Sequence, residues 1–494
     1  MLGPALSVLS AVLLVLLYPR FQFAWLAPVA LTPLLVAIAR EPKPSRRLLM
    51  GEAAGFVYWF GVCYWIQFVL EEHGGMGSAG SWLVFFLFCI AKAVHLGVFA
   101  WLAGPLLGRW YAAPLVAALW TGIERTHAPL GFAWLALGNA GVNMGLPMRL
   151  APIIGVYGLS FVFALMAACV ALAVLRRPRH HLLWVLLLPL LYLLPGLPEA
   201  GAGRESAVAL QPNISMNAAW SEEGRKTLYT RLAYRTLRSA LAAGEPPPAL
   251  MIWPESPGPF YYPADPVFRA EVANLARLAG APFLFGAVAH SPAGAPLNAA
   301  QMLGPDGSET DRYDKMFLVP FGEFVPAPFG FVNRITKEAG DFEPGTRLVV
   351  FPAGARRLGV FICYESAFPH LVRQFALSGA GLLVNISNDG YFGPSAARLQ
   401  HLSLARMRAA ENRRWLLRPT NDGVTAAIDP AGRVRESFPP FRETAGRLPF
   451  NWVTAQTPYT RYGDWFAWSC LVAGVAAGAA PFLLPRLRRA GSLS

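Results

Sequence analysis

Three side chains far apart in the chain have the types that acyl transfer requires. They are Glu255 in Ile252-Trp253-Pro254-Glu255-Ser256, Lys315 in Tyr313-Asp314-Lys315, and Cys363, which directly follows the apolar run Leu358-Gly359-Val360-Phe361-Ile362. A carboxylate can take a thiol proton, the thiolate forms the acyl intermediate, and an ammonium holds both the thiolate and the oxyanion that develops on an attacked carbonyl. This chemistry needs neither metal nor cofactor, and none is expected. Of the five cysteines, Cys63, Cys89, Cys169 and Cys470 lie inside apolar stretches, where a free thiol behaves as a small hydrophobe, so Cys363 is left without a disulfide or cluster role. Taken singly, each residue has an ordinary reading as cap, surface charge or core. Only their convergence would make a site.

The elements that must position them lie in a polar segment, roughly 205–450, whose short β-like runs alternate with amphipathic helices as in an α/β layered domain. Strands are expected at 207–210, 249–253, 283–288, 347–351, 358–362, 382–386 and 416–428, with a hairpin turn at Gly304-Pro305-Asp306-Gly307 and another turn at 429–432. Ser221 before Glu222 and Glu223 reads as a helix start, and Pro394 opens a helix to about Arg414. On this reading all three candidates stand at strand ends. The Pro- and Gly-rich segments 254–265 and 320–330 are long enough to be active-site loops.

The rest of the chain is of a different kind. With 494 residues, 55% of them hydrophobic and only 14% charged, and a mean hydropathy of +0.40, the protein is too apolar for an ordinary soluble one. Apolar windows near the length of about 20 residues that a helix needs to cross a bilayer occur at 5–19, 22–39, 51–70, 82–104, 109–124, 151–175, 181–197 and 465–485. Eight spans are expected, as a multi-pass α-helical membrane bundle: seven within 1–200, then the polar domain, then an eighth span and a basic tail within 460–494. Arg40, Lys43, Arg46 and Arg47, then Arg109, then Arg176, Arg177 and Arg179, and finally Arg486, Arg488 and Arg489 make every second connection basic. Because Lys and Arg accumulate on the cytoplasmic side, both termini are expected in the cytoplasm and the polar domain on the outer face. The first window lacks a positive n-region and a small-residue cleavage site, so it is read as a span and not as a signal peptide. The net charge of +13 is largely these clusters, with no aromatic-interleaved basic stripe, which argues for lipid headgroups and against nucleic acid.

The motif order narrows this further. Pro254-Glu255, then Asp314-Lys315 with Leu318-Val319-Pro320-Phe321-Gly322-Glu323, then Cys363-Tyr364-Glu365, then Asn385-Ile386-Ser387-Asn388-Asp389 resembles the carbon-nitrogen hydrolase (nitrilase) superfamily; with eight spans around it, the chain resembles the apolipoprotein N-acyltransferase family. The resemblance implies a nitrilase-like αββα sandwich outside the bacterial inner membrane, on its periplasmic side. It implies Glu255 as general base, Lys315 as stabiliser of oxyanion and thiolate, and Cys363 as nucleophile. Glu323 would orient Lys315, Tyr364 and Glu365 would shape the pocket, and the backbone N–H after the nucleophile would serve the oxyanion. Trp220, Asn298, Trp134, Asn388 and Tyr391 would contact substrate. The implied partners are a phospholipid acyl donor and a diacylglyceryl-modified apolipoprotein acceptor, handled by a monomer. Phe317, Ala133 and Tyr391 stand where the family usually has His, Pro and Trp.

Several polar residues stay open. Lys92 and His95 fall inside a span, as headgroup lining or as an internally satisfied pair. Glu124, Arg125 and His127 could pair internally or meet a phosphate. Glu71, Glu72 and His73 read as a solvated loop, not as a metal site, and His401 as a packed helix histidine. The rival function is a membrane-tethered amidase acting on small amides, and a non-catalytic scaffold is the second alternative.

Overall fold

The structure is a computed structural model that describes residues 2–491 apart from 200, 217, 219–220, 259–260, 321 and 325–341. Two compact units emerge. One comprises Met1–Gln67, Trp82–Leu197 and Tyr462–Ser494, the other Phe68–Ser81 and Pro198–Arg461.

The first unit is helical, built from α1 (Leu2–Leu16), α2 (Thr32–Arg40), α3 (Pro44–Cys63), the start of α4 (Trp65–Glu72), most of α5 (Gly77–Leu106), α6 (Ala112–Arg125) and α7 (Ala151–Val174). Three helices are long and apolar enough to cross a membrane, Gly77–Leu106, Pro147–Val174 and Trp465–Leu483, and α3 with α4 adds a fourth if that pair, bent by 60°, is one span. The expectation of eight membrane-length helices is therefore corrected among the described residues. Hydropathy windows count apolar side chains but not backbone breaks. The window 22–39 contains a short 3-10 turn and Pro33, and yields only the nine-residue α2. The window 181–197 contains Pro189, follows Pro178, and forms a 3-10 helix at Arg179–Leu193. Proline supplies no amide hydrogen, which costs nothing in a first helical turn, where Pro33 opens α2, but removes a ladder bond in a helix interior, where Pro189 falls.

Close helix crossings hold this unit together. A Cβ on Gly122 of α6 would lie 2.3 Å from the Leu471 Cα, so only glycine admits that approach. The open polar residues of this unit find internal partners. Lys92 Nζ donates to the Phe132 carbonyl at 2.8 Å and lies 5.1 Å from the Trp59 ring centroid. Arg125 Nε reaches Asp464 Oδ2 at 2.5 Å, Glu124 Oε1 accepts from the Leu137 amide at 2.6 Å, and His95 stacks on His127 at 4.0 Å.

The second unit is layered. In chain order it contains β1 (Glu205–Gln211), α8 (Glu222–Ala240), β2 (Leu250–Ile252), α9 (Pro266–Ala279), β3 (Phe283–His290), β4 (Pro296–Leu303), β5 (Glu309–Asp314), β6 (Val350–Ala353), β7 (Arg356–Ile362), α10 (Pro369–Leu377), β8 (Leu382–Ile386), α11 (Ala397–Asn412), β9 (Trp415–Arg418), β10 (Ala426–Ile428), β11 (Val434–Ser437), β12 (Thr444–Phe450) and most of α12 (Pro458–Tyr462). The chain then returns to the helical unit as α13 (Trp465–Gly491).

The strands form two six-stranded mixed sheets, ordered β12-β1-β2-β3-β4-β5 and β11-β10-β9-β8-β7-β6. Helices α8 and α9 cover the first sheet and α10 and α11 the second, while β4 meets β7 and β9 meets β12 between the sheets, giving layers of helix, sheet, sheet and helix. Strands β7 and β8 are parallel in register from Leu358↔Leu382 to Ile362↔Ile386 and fully buried over those residues, which is why they read as unbroken apolar runs. The Ser221 side chain caps α8 by accepting from the Gly224 amide at 3.0 Å. The strand expected over 416–428 is two strands, β9 and β10, because Pro419 cannot continue a ladder. Strand β12, which pairs antiparallel with β1 from Glu205↔Phe450 to Gln211↔Thr444, was not expected at all.

Candidate active site

Each candidate lies just beyond the C-terminal end of a strand: Glu255 after β2, Lys315 after β5, Cys363 after β7 and Asn388 after β8. In β2 and β8, which run parallel to both neighbours, and in β7, which runs parallel to β8 and antiparallel to β6, that is the edge where open α/β sheets place ligands. Lys315 is 1% exposed, and its Nζ lies 2.9 Å from Glu323 Oε1 and 3.4 Å from Glu255 Oε1. The Asn298 side-chain amide donates to the same two oxygens, at 2.7 Å to Glu255 and 2.6 Å to Glu323. The second oxygen of Glu323 accepts from the Val319 amide at 2.8 Å, and that of Glu255 from the Asn388 amide at 2.8 Å. Two carboxylates are thus held around one cation, each fixed by a backbone donor. Burial alone pulls the Lys315 ammonium toward neutrality, but the Glu323 and Glu255 carboxylates outweigh it and hold its pKa well above the usual value.

Cys363 is 6% exposed and has φ of +50°, a left-handed conformation that a non-glycine residue adopts at a cost of about 1–2 kcal/mol. A residue so held at a strand-to-helix turn projects its side chain out of the sheet edge. Burial pushes the thiol up, the Glu255 carboxylate pushes it further, and Lys315 opposes both, so the sulfur rests protonated within electrostatic reach of the other two candidates.

Glu365 braces the turn. Its Oε2 accepts from the Ile362 amide at 2.7 Å, and its Oε1 accepts from the Tyr313 hydroxyl at 2.7 Å and from the Met316 and Phe317 amides at 2.7 and 3.2 Å. It therefore joins the Cys363 turn to the loop carrying Lys315. Burial pushes its carboxyl up to about 7, against donors that favour the ionised form. Tyr364 is buried edge-on against Phe368 at 5.0 Å. Tyr391 stands in the 3-10 turn after β8 with its ring 5.0 Å from His73, and Asn388 Nδ2 contacts Met216 Sδ at 3.2 Å. Trp134 belongs to the helical unit, 5.0 Å from Trp65, and Trp220 lies outside the described residues. Among the described residues no group of three or more His, Cys, Asp or Glu is placed to hold a metal.

Gly286 of β3 keeps Glu255 in position. A Cβ there would lie 2.7 Å from both the Glu255 Cα and the Pro254 oxygen, and 2.9 Å from the Ser256 amide nitrogen, all backbone atoms that cannot step aside. Gly286→Ala is expected to shift Glu255, lower acylation by about 10-fold or more and cost roughly 1–3 kcal/mol. Single-turnover rates and a thermal melt would check both.

Asn298 and Asn388 entered the sequence reading only through resemblance, and neither the bridge that Asn298 makes between two carboxylates nor the bond of the Asn388 amide to Glu255 has a local signature. The buried group Asp389, His401 and Arg418 behind Cys363 was missed as a unit, since its members are brought together by β8, α11 and β9.

Comparisons with known proteins agree with this architecture. Residues 10–169 match the family described as apolipoprotein N-acyltransferase N-terminal domain, and residues 209–446 match carbon-nitrogen hydrolase. An apolipoprotein N-acyltransferase of Geobacter metallireducens is 36% identical, covering 96% of this chain and 94% of that protein. Those of Azotobacter vinelandii and Methylococcus capsulatus are 34% and 31% identical, covering 96% and 99% of this chain and 93% and 97% of theirs. Matches of this extent do not favour the amidase reading, which has no use for the N-terminal domain. The chain belongs to the apolipoprotein N-acyltransferase family and is an acyltransferase with a carbon-nitrogen hydrolase domain.

Proposed function

We propose that the protein moves an acyl chain from a phospholipid to Cys363 and then to the α-amino group of a diacylglyceryl-modified cysteine at the N-terminus of an apolipoprotein. Glu255 takes the thiol proton as sulfur attacks the ester carbonyl. Lys315 and the amide after Cys363 hold the oxyanion. Collapse breaks the ester C–O bond, Glu255 returns the proton to the leaving lysophospholipid oxygen, and a thioester remains. The acceptor amine then attacks the thioester, Glu255 removes its proton, and the sulfur leaves and is reprotonated. The product is an amide and the enzyme is restored.

The reading rests above all on the Lys315 ammonium buried between Glu255 and Glu323, in the same unit as a cysteine held at positive φ. Membrane-length helices fit substrates that are both lipid-anchored, because confinement to a surface replaces a search through water. The basic residues at 40–47, 109 and 486–489 favour an orientation in the bacterial inner membrane with the catalytic unit on the periplasmic side and both termini in the cytoplasm.

The test uses purified enzyme, a phospholipid with one isotopically labelled acyl chain, and a diacylglyceryl-cysteine peptide with its α-amine free or acetylated. Label should pass to the free-amine peptide as an amide, with an equal yield of lysophospholipid, and not to the acetylated peptide. Labelled free fatty acid as the sole product from both mixtures would mean hydrolysis and overturn the proposal.

A further inference from the structure

Behind the nucleophile lies a fully buried polar group that the reaction sequence above does not use. His401 Nε2 is 2.9 Å from the Cys363 carbonyl oxygen. Its Nδ1 is 3.0 Å from Asp389 Oδ1 and 2.9 Å from Arg418 Nη2, and Arg418 Nη2 also lies 2.9 and 3.0 Å from the two Asp389 oxygens. Ser387 Oγ donates to Asp389 at 3.0 Å, and Phe392 stands edge-on to the imidazole at 5.7 Å. Asp389, His401 and Arg418 are all 0% exposed.

We propose that His401 is a positioning residue for the nucleophile, donating its Nε2–H to the Cys363 carbonyl and so holding Cys363 in the left-handed backbone that presents its sulfur.

The assignment of the donor does not depend on the charge of the ring. A carbonyl oxygen can only accept, so Nε2 carries a hydrogen in either state. If the imidazole is neutral, Nδ1 accepts from Arg418; if protonated, Nδ1–H donates to Asp389. Both arrangements keep the bond to Cys363. Among the described residues Asn385 Nδ2 also reaches this carbonyl, and at 3.4 Å that contact is the weaker of the two. Holding this carbonyl matters because Cys363 has φ of +50° without being glycine, a conformation that persists only where its surroundings enforce it. Released, the peptide would relax toward extended geometry and swing the sulfur away from Glu255 and Lys315. The buried ion pair of Asp389 with Arg418 in turn fixes the ring, so β8, α11 and β9 all converge on one backbone atom.

The inference rests on Cys363 being the nucleophile, and its test separates the two claims. Purified His401→Leu and His401→Met, which lack a donor, are compared with His401→Gln, whose amide NH2 lies about as far along the side chain as Nε2. Single-turnover acylation of Cys363 by phospholipid should fall by about 10- to 100-fold in the donor-less variants, with KM for phospholipid unchanged, and His401→Gln should recover most of the rate. Alkylation of Cys363 by iodoacetamide should show the same ranking in protein that melts as a folded unit. Wild-type rates in His401→Leu or His401→Met would overturn the proposal, as would a folded His401→Gln no faster than either. Since alkylation needs no phospholipid, it decides for or against His401 even where the acyl-transfer reading fails.

Discussion

Lys315→Met is expected to lower acylation of Cys363 by about 10³-fold or more, because it removes a buried cation whose charge acts on the sulfur and on the oxyanion that develops beside it. Methionine keeps the length of the stem, so the loss can be assigned to charge and not to a cavity. The stability consequence is distinctive as well. Breaking a buried ion pair costs about 3–5 kcal/mol when the stranded charge remains, and here Glu255 and Glu323 would face each other through Asn298 with no cation between them. Like charges held this close repel, so the variant is expected to melt below the wild type. In the wild type the group concerned is Lys315 itself, raised well above 10.5. Its contribution is fully present below 10.5 and lost only as the pH climbs through its folded-state value, so wild-type stability should show no Lys315 effect near neutrality. Melting curves of both proteins would reveal the loss, and near-normal acylation in the folded variant would remove the lysine from the mechanism.

Glu365→Gln should be nearly as damaging, although the residue is assigned no chemical step. Every neighbour of the carboxyl is a donor: the Tyr313 hydroxyl and the Ile362, Met316 and Phe317 amides. A glutamine turns one acceptor oxygen into an NH2 group facing other N–H groups. Each buried donor left unsatisfied costs about 1–3 kcal/mol, and a displacement of about 1 Å in the Cys363 turn is enough for a 100-fold loss of rate. The wild type should show a related pH effect. With its pKa raised by burial from 4.5 to about 7, Glu365 binds more protons folded than unfolded between those values. Its titration therefore adds stability that is fully present below 4.5 and lost as the pH rises through about 7. Activity should move the opposite way, since protonation replaces an acceptor with an O–H among donors. Rising melting temperature with falling turnover between pH 7 and 4.5 is the expected signature, and Glu365→Gln should abolish its stability limb.

The strand-end positions of the candidate residues were more legible in the sequence than the fold around them, for physical reasons. Cys363 stood out because the buried parallel strand β7 has to be apolar on both faces, so the run Leu358–Ile362 ended visibly at a polar turn. Glu255 was marked by the proline that stops β2. The hairpin at 304–307 was plain because Asp306-Gly307 sits where Gly307 needs φ of +79°. By contrast, β12 pairs with β1 across more than 230 residues of chain, and no local pattern announces such a partner. His401 looked like a packed helix histidine, and packed it is, but the donor role proposed for it depends on Asp389 from the turn after β8 and Arg418 from β9. The membrane unit was misjudged in the other direction. Apolar composition was read as span length, while prolines divided two of the windows into short helices and 3-10 turns.

The central claim, a covalent acyl intermediate on Cys363 formed with the help of Glu255 and Lys315, is tested most directly by mass spectrometry of the peptide containing Cys363 after the purified protein is mixed with phospholipid alone. An added mass equal to one acyl chain, sensitive to hydroxylamine, absent from Cys363→Ala and discharged by a lipidated peptide amine, is the predicted result. Transfer to the amine at wild-type rate in Cys363→Ala, or an acyl chain found on another residue, would contradict it.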